Sequence, residues 1–94
     1  MSESEIAIIL TALKVDLGIM STTSYDTRLK QIIGASYEAI KTEGASTLNV
    51  NDLNDAQLVV MYAAWTWRKR ENGEGMPRML RYALNNRVLK EKAR

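Results

Sequence analysis

The chain contains no cysteine, no histidine and no phenylalanine, and it has a single proline. The lack of cysteine excludes disulfide bonds and thiolate-bound metal ions. The lack of histidine removes the side chain that most often serves as a general base or a metal ligand. Serine and threonine hydroxyls therefore have no histidine to activate them, and no glycine-rich phosphate loop with a following Lys-Ser or Lys-Thr pair is present. We expect a protein that is not an enzyme and that binds no cofactor or metal.

Charge is distributed unevenly along the 94 residues, which we expect to form one domain over residues 1–94. The net charge is only +2, but residues 1–67 carry −4 and residues 68–94 carry +6. This asymmetry favours a charged partner, although a solvated basic helix would give the same pattern. The apolar run Ile6–Leu13 follows two glutamates and is too short to cross a membrane. We therefore expect no targeting or membrane segment, and synthesis in the cytoplasm.

The pattern of the whole chain predicts an all-α fold, a small domain of four helices. The first helix should run from about Glu3 to Leu17, because Ser2 and Glu5 have the spacing of a capping box and Gly18 can adopt the left-handed end conformation. One apolar stripe recurs at three- and four-residue spacing along it, and it consists of Ile6, Ile9, Leu10, Leu13 and Leu17.

A second helix is predicted after the polar connection Met20–Ser24. We expect either Thr23 together with Asp26, or Ser24 alone, to cap its start, and Gly44 to end it. Its apolar face consists of Leu29, Ile32, Ile33, Tyr37 and Ile40. A glycine inside a helix costs about 1 kcal/mol relative to alanine, so Gly34 predicts close packing of a neighbouring backbone.

A long polar loop, Ala45–Asn54, separates the second and third helices. Three apolar residues in it could anchor the loop to the core, namely Leu48, Val50 and Leu53. Asn51 or Asn54 is expected to cap the third helix. The run 51–55 resembles a cation-binding loop, but it lacks the glycine and the distal glutamate of a calcium site, so capping is the favoured role.

The third helix, within Asp55–Pro77, is apolar on nearly every side and must be covered on all of them. Residues at helical spacing should face the other helices of the subunit, and these are Leu58, Met61, Tyr62 and Trp65. Residues off that stripe should face either a neighbouring subunit, as the predicted subunit interface, or the polar loop, and these are Val59, Val60 and Trp67.

A fourth helix should follow the glycine turn, with Pro77 at its first position. Its predicted apolar face consists of Met76, Met79, Leu80, Ala83, Leu84 and Val88. Asn85 and Asn86 are weak helix formers. We therefore expect the basic segment from about residue 85 to fray and to be mobile when no partner is bound.

Nine basic residues follow Trp67, and they are the candidate contacts to a partner protein or to DNA in a channel: Arg68, Lys69, Arg70, Arg78, Arg81, Arg87, Lys90, Lys92 and Arg94. Three aromatic residues lie near them in sequence and could stack on bases, namely Trp65, Trp67 and Tyr82. The favoured interpretation of the two tryptophans is that they lie in the core or in a subunit interface.

The order of these segments resembles the head–tail connector proteins of long-tailed bacteriophages, which are also called head-completion or adaptor proteins. The resemblance lies in a leucine-rich first helix that closes at Asp16-Leu17-Gly18, a helix over Tyr25–Ile40, a polar loop leading into DAQLVVMYAAWTWRKREN, and the Pro-led segment MPRMLRYALNNRVL. The resemblance implies an all-α structural protein of the virion.

What the resemblance implies about assembly is a cyclic homo-oligomeric ring, dodecameric in the virion, at the head–tail junction. Such a ring binds the portal protein and the next head-completion or tail protein, extends the DNA channel, and can touch packaged DNA without reading its sequence. A small helical DNA-binding regulator is the alternative function. It would be a monomer or dimer with specific sites and a strong dependence on salt.

Overall fold

The computed structural model describes residues 1–93, apart from the side chains of residues 71 and 72. Over that range the chain forms four α-helices and no strand, and 73% of it is helical. The helices are α1 (Glu3–Leu17), α2 (Asp26–Glu43), α3 (Leu53–Asn72) and α4 (Arg78–Lys92). The predicted all-α, four-helix fold is therefore confirmed. The loop between α2 and α3 has about 9 residues, so it is of modest rather than great length.

The ends of α1 agree with the prediction. The Glu5 backbone N–H donates to Ser2 Oγ at 3.2 Å, and the Ser2 N–H donates to Glu5 Oε1 at 2.8 Å, which completes the capping box. Gly18 follows Leu17 with φ 72°, the left-handed conformation that residues with a side chain rarely adopt. Local sequence alone thus sets both boundaries of this helix.

The predicted cap of α2 is wrong. Tyr25 occupies the N-cap position, and its side chain makes no capping hydrogen bond. The Asp26 carboxylate lies 2.9 Å from the ammonium group of Lys14, a buried residue of α1. Ser24 accepts a hydrogen bond from the Thr22 hydroxyl instead of capping the helix. The need of a buried cation for a counter-charge therefore outweighs capping at this helix end.

Two glycines of α2 have different roles. Gly44 ends the helix as predicted, with φ 134°, and a Cβ at this position would lie 2.9 Å from a methyl group of Val88. Close packing at Gly34 was expected but is not found, because no atom lies within 4 Å of the place where its Cβ would be. Tight approach of a neighbouring element thus occurs at the end of α2, where α4 passes.

The α2–α3 loop is anchored by two of its three predicted residues. Leu48 is buried, Val50 is partly buried against the core, and the Tyr37 hydroxyl donates to the Leu48 carbonyl at 3.2 Å. Leu53 is 83% exposed, so its predicted anchoring role is wrong. The physical reason is its position, because it begins α3 on the side that faces away from the other helices.

The cap of α3 is Asp52, and the predicted caps Asn51 and Asn54 are both wrong. The Asp52 carboxylate accepts hydrogen bonds from the backbone N–H groups of Asn54, at 2.8 Å, and Asp55, at 3.3 Å. The Asn51 side-chain amide donates to the Glu5 carboxylate at 2.8 Å, which ties the loop to the start of α1. Asn51 is thus occupied by Glu5, and Asn54 already lies inside the helix, which begins at Leu53.

The centre of the fold is α3, and the other three helices all pack against it. Helices α1 and α2 also pack against each other, whereas α1 and α4 have no extensive contact. The buried residues of α3 form a continuous core with those of its neighbours, and they are Asp55, Leu58, Val59, Val60, Ala63 and Ala64. Met61, Tyr62 and Trp65 are partly buried against the same core.

This arrangement confirms the predicted inward position of Leu58 and contradicts the subunit-interface prediction for two of its three residues. Val59 and Val60 are buried by other helices of the same chain, so they have no surface to offer to a neighbouring subunit. The cause is the central position of α3. Trp67 is only partly buried, and its interface role stays a prediction.

Helix α4 begins at Arg78, and Pro77 lies one position earlier than expected, at the N-cap. Leu80 and Leu84 are buried, but Met79 is 72% exposed, so its predicted place in the apolar face is wrong. Asn85 and Asn86 do not interrupt the helix, which continues to Lys92.

No helix of the described chain is long and apolar enough to span a membrane.

Candidate interaction surface

The predicted partner contact Arg87 belongs instead to a buried ion pair between α3 and α4. Its Nε lies 2.8 Å from Asp55 Oδ1, and its Nη2 donates to Asp55 Oδ2 at 3.4 Å and to the Thr47 hydroxyl at 3.2 Å. Hydrogen bonds to the Asp55 carboxylate raise the pKa of Arg87 above its ordinary value. Arg87 is therefore unavailable to a partner, because the buried carboxylate requires it.

The same network holds the α2–α3 loop against α4. The Glu91 carboxylate accepts from the Thr47 backbone N–H at 2.8 Å and from its hydroxyl at 2.6 Å, and it lies 3.4 Å from Arg87. The Asn49 backbone N–H donates to Asp55 Oδ2 at 3.0 Å. These contacts fix the C-terminal half of α4, where the sequence predicted fraying.

Two more of the predicted contacts are engaged in exposed ion pairs. Arg68 lies 3.4 Å from Asp16 at the end of α1, and Arg81 lies 3.5 Å from Glu43 at the end of α2. All four side chains are about half exposed. Exposed pairs of this kind contribute little to stability and are screened by salt. Both arginines can therefore exchange these carboxylates for a partner's.

The two tryptophans are each covered by a cation from the next turn of α3. The Lys69 ammonium lies 4.2 Å from the centre of the Trp65 ring, and the Arg70 guanidinium lies 4.0 Å from that of Trp67. The rings of Trp67 and Tyr25 are also arranged edge to face, with their centroids 5.2 Å apart. Base stacking by the tryptophans, which the sequence left open, would require these cations to move away from the ring faces.

Three predicted contacts remain on α4 without an ion pair in the part of the chain that the structure describes, namely Arg78, Lys90 and Lys92. All three are exposed. Arg94 lies outside the described residues. Among the predicted contacts that the structure describes, the cations without an ion pair therefore lie along α4 and at the exposed end of α3, where Lys69 and Arg70 project. Within the described chain, helix α2 carries three further cations without an ion pair, namely Arg28, Lys30 and Lys41.

An exposed apolar stripe runs between the unpaired cations of α4. Met79, Tyr82 and Leu89 are 72%, 56% and 61% exposed, and with Asn86 they follow three- and four-residue spacing. We call these four residues the α4 outer face. The sequence placed Met79 in the core and did not single out Leu89. A signal was available, because Leu80 and Leu84 already define the inward direction, and Leu89 lies away from it.

A second exposed apolar stripe lies on α1, away from its core face. Ile8 and Val15 are 68% and 62% exposed, and Thr11 and Ala12 lie exposed between them. We call these four residues the α1 outer face, and none of them is charged. The predicted stripe of α1 omitted all of them.

Glu5 and Asp16 border this face, and hydrogen bonds from Ser2 and Asn51 lower the pKa of Glu5, so it is charged at neutral pH.

An open groove of about 320 Å³ separates α3 from part of α4. Its apolar floor is formed by Leu58, Met61 and Ala83, and exposed polar side chains line its rim.

The described residues contain no group of three acidic, histidine or cysteine side chains that could hold a metal ion. The principal features of the surface are thus two apolar helix faces with different bordering charges.

The chain matches no protein-family model, no curated protein and no solved structure.

Proposed function

We propose that the protein is a structural component of a long-tailed bacteriophage virion, a head–tail connector. It forms a dodecameric ring beneath the portal, extends the DNA channel and joins the head to the tail. Its partners are further copies of itself, the portal protein and the next head-completion or tail protein. It acts by assembly and carries out no chemical step.

The observation that carries this proposal is the apolar surface that one subunit leaves uncovered. Five large side chains of the two outer faces are more than half exposed, namely Ile8, Val15, Met79, Tyr82 and Leu89. They form two stripes rather than scattered single residues. Contiguous exposed apolar surface is typical of interaction sites, whereas single exposed apolar residues are ordinary. A protein with two such surfaces is suited to bind a neighbour on each side.

The exposed end of α3 supports the second part of the proposal, contact with the portal or with DNA. Arg68, Lys69 and Arg70 are consecutive and exposed, and only Arg68 has a carboxylate partner, itself on the surface. Such a cluster attracts phosphates or acidic side chains over roughly a Debye length, about 8 Å at physiological ionic strength. In a ring, this cluster would be repeated once per subunit.

A DNA-binding regulator is the second candidate, and the exposed basic cluster Arg68, Lys69 and Arg70 favours it. The two functions differ in DNA binding. A connector should bind duplexes of any sequence with similar, weak affinity, whereas a regulator should prefer one site by roughly 10³-fold or more. Competition binding with random and genomic duplexes, measured at several salt concentrations, separates them.

The decisive experiment disrupts the gene in the phage genome that encodes the chain. Phage lacking the protein should accumulate DNA-filled heads and separate tails, and adding the purified protein should restore joined particles. Purified protein in which Leu53→Asp changes an exposed residue outside both faces serves as the matched control and should restore joining equally well. Normal joined particles in the absence of the protein would overturn the proposal.

A further inference from the structure

We infer that the subunits associate through one specific contact, in which the α1 outer face of one copy packs against the α4 outer face of the next. The occupant of each face is thus a second copy of this chain. This inference deepens the proposed function by naming its subunit contact, but the contact can form and be measured without any phage partner.

Each face has the composition of a helix contact rather than of a solvated surface. The α1 outer face has no charged residue, although helix faces that remain in water are normally charged or polar. The α4 outer face has one amide, Asn86, among Met79, Tyr82 and Leu89. Both faces belong to helices that are already held by a core on their other side, so each is presented without a further change of fold.

Charge decides which face pairs with which. Two copies of the α4 outer face brought together would oppose the unpaired cations Arg78, Lys90 and Lys92 to their own equivalents. Two copies of the α1 outer face would likewise bring together Glu5 of each copy, whereas Asp16 is already paired with Arg68 of its own subunit. Pairing α1 with α4 instead brings the Glu5 carboxylate towards cations, and like charges that face each other across an interface oppose association. The mixed contact is therefore favoured over either symmetric one.

The spacing of the largest side chains also matches. Ile8 and Val15 are seven residues apart, and so are Tyr82 and Leu89. Seven residues span about 10.5 Å along an α-helix, so both pairs of side chains can meet in register. Ala12 lies between Ile8 and Val15 and leaves a shallow depression on α1 that a bulky side chain of α4 can enter. Both helices are 15 residues long, so neither overhangs the other.

The position of the two faces makes the contact repeat. Both α1 and α4 pack on α3 and have no extensive contact with each other, so one subunit cannot cover its own α1 outer face with its own α4. A contact between different faces of identical subunits is heterologous, and it either closes into a ring or continues as an open chain. Each added subunit covers one α1 face and one α4 face.

Two charge insertions test the contact directly. Val15→Asp blocks the α1 outer face, and Leu89→Asp blocks the α4 outer face. Each site is exposed in the subunit, so both variants should fold, which circular dichroism checks. Because an aspartate buried in an apolar contact has no partner, we expect each variant alone to associate on the order of 100-fold more weakly than the wild type. The readout is mass by sedimentation velocity over a concentration series.

Mixing the two variants gives the result that only a heterologous contact predicts. The intact α4 face of Val15→Asp should bind the intact α1 face of Leu89→Asp, giving a 1:1 dimer and nothing larger, because both remaining faces are blocked. Leu53→Asp, which lies on neither face, should keep the wild-type distribution of masses. If the mixture stays monomeric, if either variant alone retains the wild-type mass, or if the wild type is monomeric at its highest soluble concentration, the contact is wrong.

The failure of this contact can be told apart from the failure of the proposed function. If the mixed variants dimerise but phage lacking the protein still join heads to tails, the contact stands and the connector function fails. If heads and tails require the protein but join normally when both faces are blocked by Val15→Asp and Leu89→Asp together, the function stands and the contact is wrong.

Discussion

Helices α3 and α1 are both apolar around much of their circumference, yet they differ in how far other helices cover them. The apolar residues of α3 are covered by three other helices, so that even Val59 and Val60 are buried. Helix α1 lies at the edge of the fold, and Ile8 and Val15 remain exposed on its far side. The apolar content of a helix therefore does not locate an interface. What matters is how many neighbours the helix has within its own subunit.

The largest expected effect tests the burial of α3 by the other helices. Leu58→Ala removes a buried side chain from the centre of α3 and should reduce the free energy of unfolding by about 2–5 kcal/mol. Ile8→Ala, the matched change on the α1 outer face, should alter it by less than about 0.5 kcal/mol. Urea denaturation of both variants, at concentrations where the protein is monomeric, measures the difference. Equal losses would mean that α1 is covered as well as α3.

The next effect concerns the ion pair that fixes α4 to α3. Arg87→Met leaves the Asp55 carboxylate buried without its cation, and it should cost about 3 kcal/mol, because breaking a buried pair is far more costly than losing a surface charge. Arg78→Met removes an exposed charge from the same helix and is the control, with little expected change. Adding Asp55→Asn to Arg87→Met should recover part of the loss. The comparison fails if the two single variants unfold at the same urea concentration.

Alanine substitutions at two glycines of α2 should change the stability of the protein in opposite directions. Gly44→Ala imposes a strained backbone at φ 134° and places a methyl group 2.9 Å from Val88, so we expect a loss of about 1–3 kcal/mol. Gly34→Ala should instead stabilise the helix by about 1 kcal/mol, because its Cβ would meet no atom within 4 Å. Thermal unfolding measures both. A loss at Gly34 would show that α2 is packed more tightly against its neighbours than the structure indicates.

The smallest effect lies at the exposed start of α1. Hydrogen bonds from Ser2 and Asn51 lower the pKa of Glu5, so the folded state favours its charged form. The stabilisation is therefore present above the ordinary pKa of a glutamate and is lost as the pH falls through the lower folded value. Glu5→Gln should remove this part of the acid dependence of the melting temperature. Identical pH profiles for the wild type and Glu5→Gln would show that the ionisation of Glu5 makes no measurable contribution to stability.

The ends of the helices show where local sequence is sufficient and where it is not. Gly18 and Gly44 were predicted correctly as helix ends, because a left-handed or otherwise positive φ is a property of the residue itself. The caps of α2 and α3 were predicted wrongly, since several short polar residues lie near each start. Which of them caps depends on what the others bind, as Asp26 binds Lys14 and Asn51 binds Glu5.

The candidate interaction surface was likewise predicted only in part from the sequence. The concentration of positive charge after Trp67 was evident from the sequence, and Arg78, Lys90 and Lys92 are indeed exposed. The sequence could not show that Arg87 is committed to Asp55, 32 residues away, since that pairing depends on how α4 crosses α3. The exposed stripes on α1 and α4 were also missed, because periodicity identifies an apolar face but does not count how many faces a helix has.

By itself, the sequence determined that the chain is all-α, where its helices lie, and that it lacks the common side chains of a catalytic site. These properties depend on residues within a few positions of one another, through helix periodicity, glycine conformations and capping. Only the tertiary structure decided that α3 lies at the centre, that Arg87 is buried in an ion pair, and that Ile8, Val15 and Leu89 face outward. Those outcomes depend on which helices surround each other, and that is set by packing between residues distant in sequence.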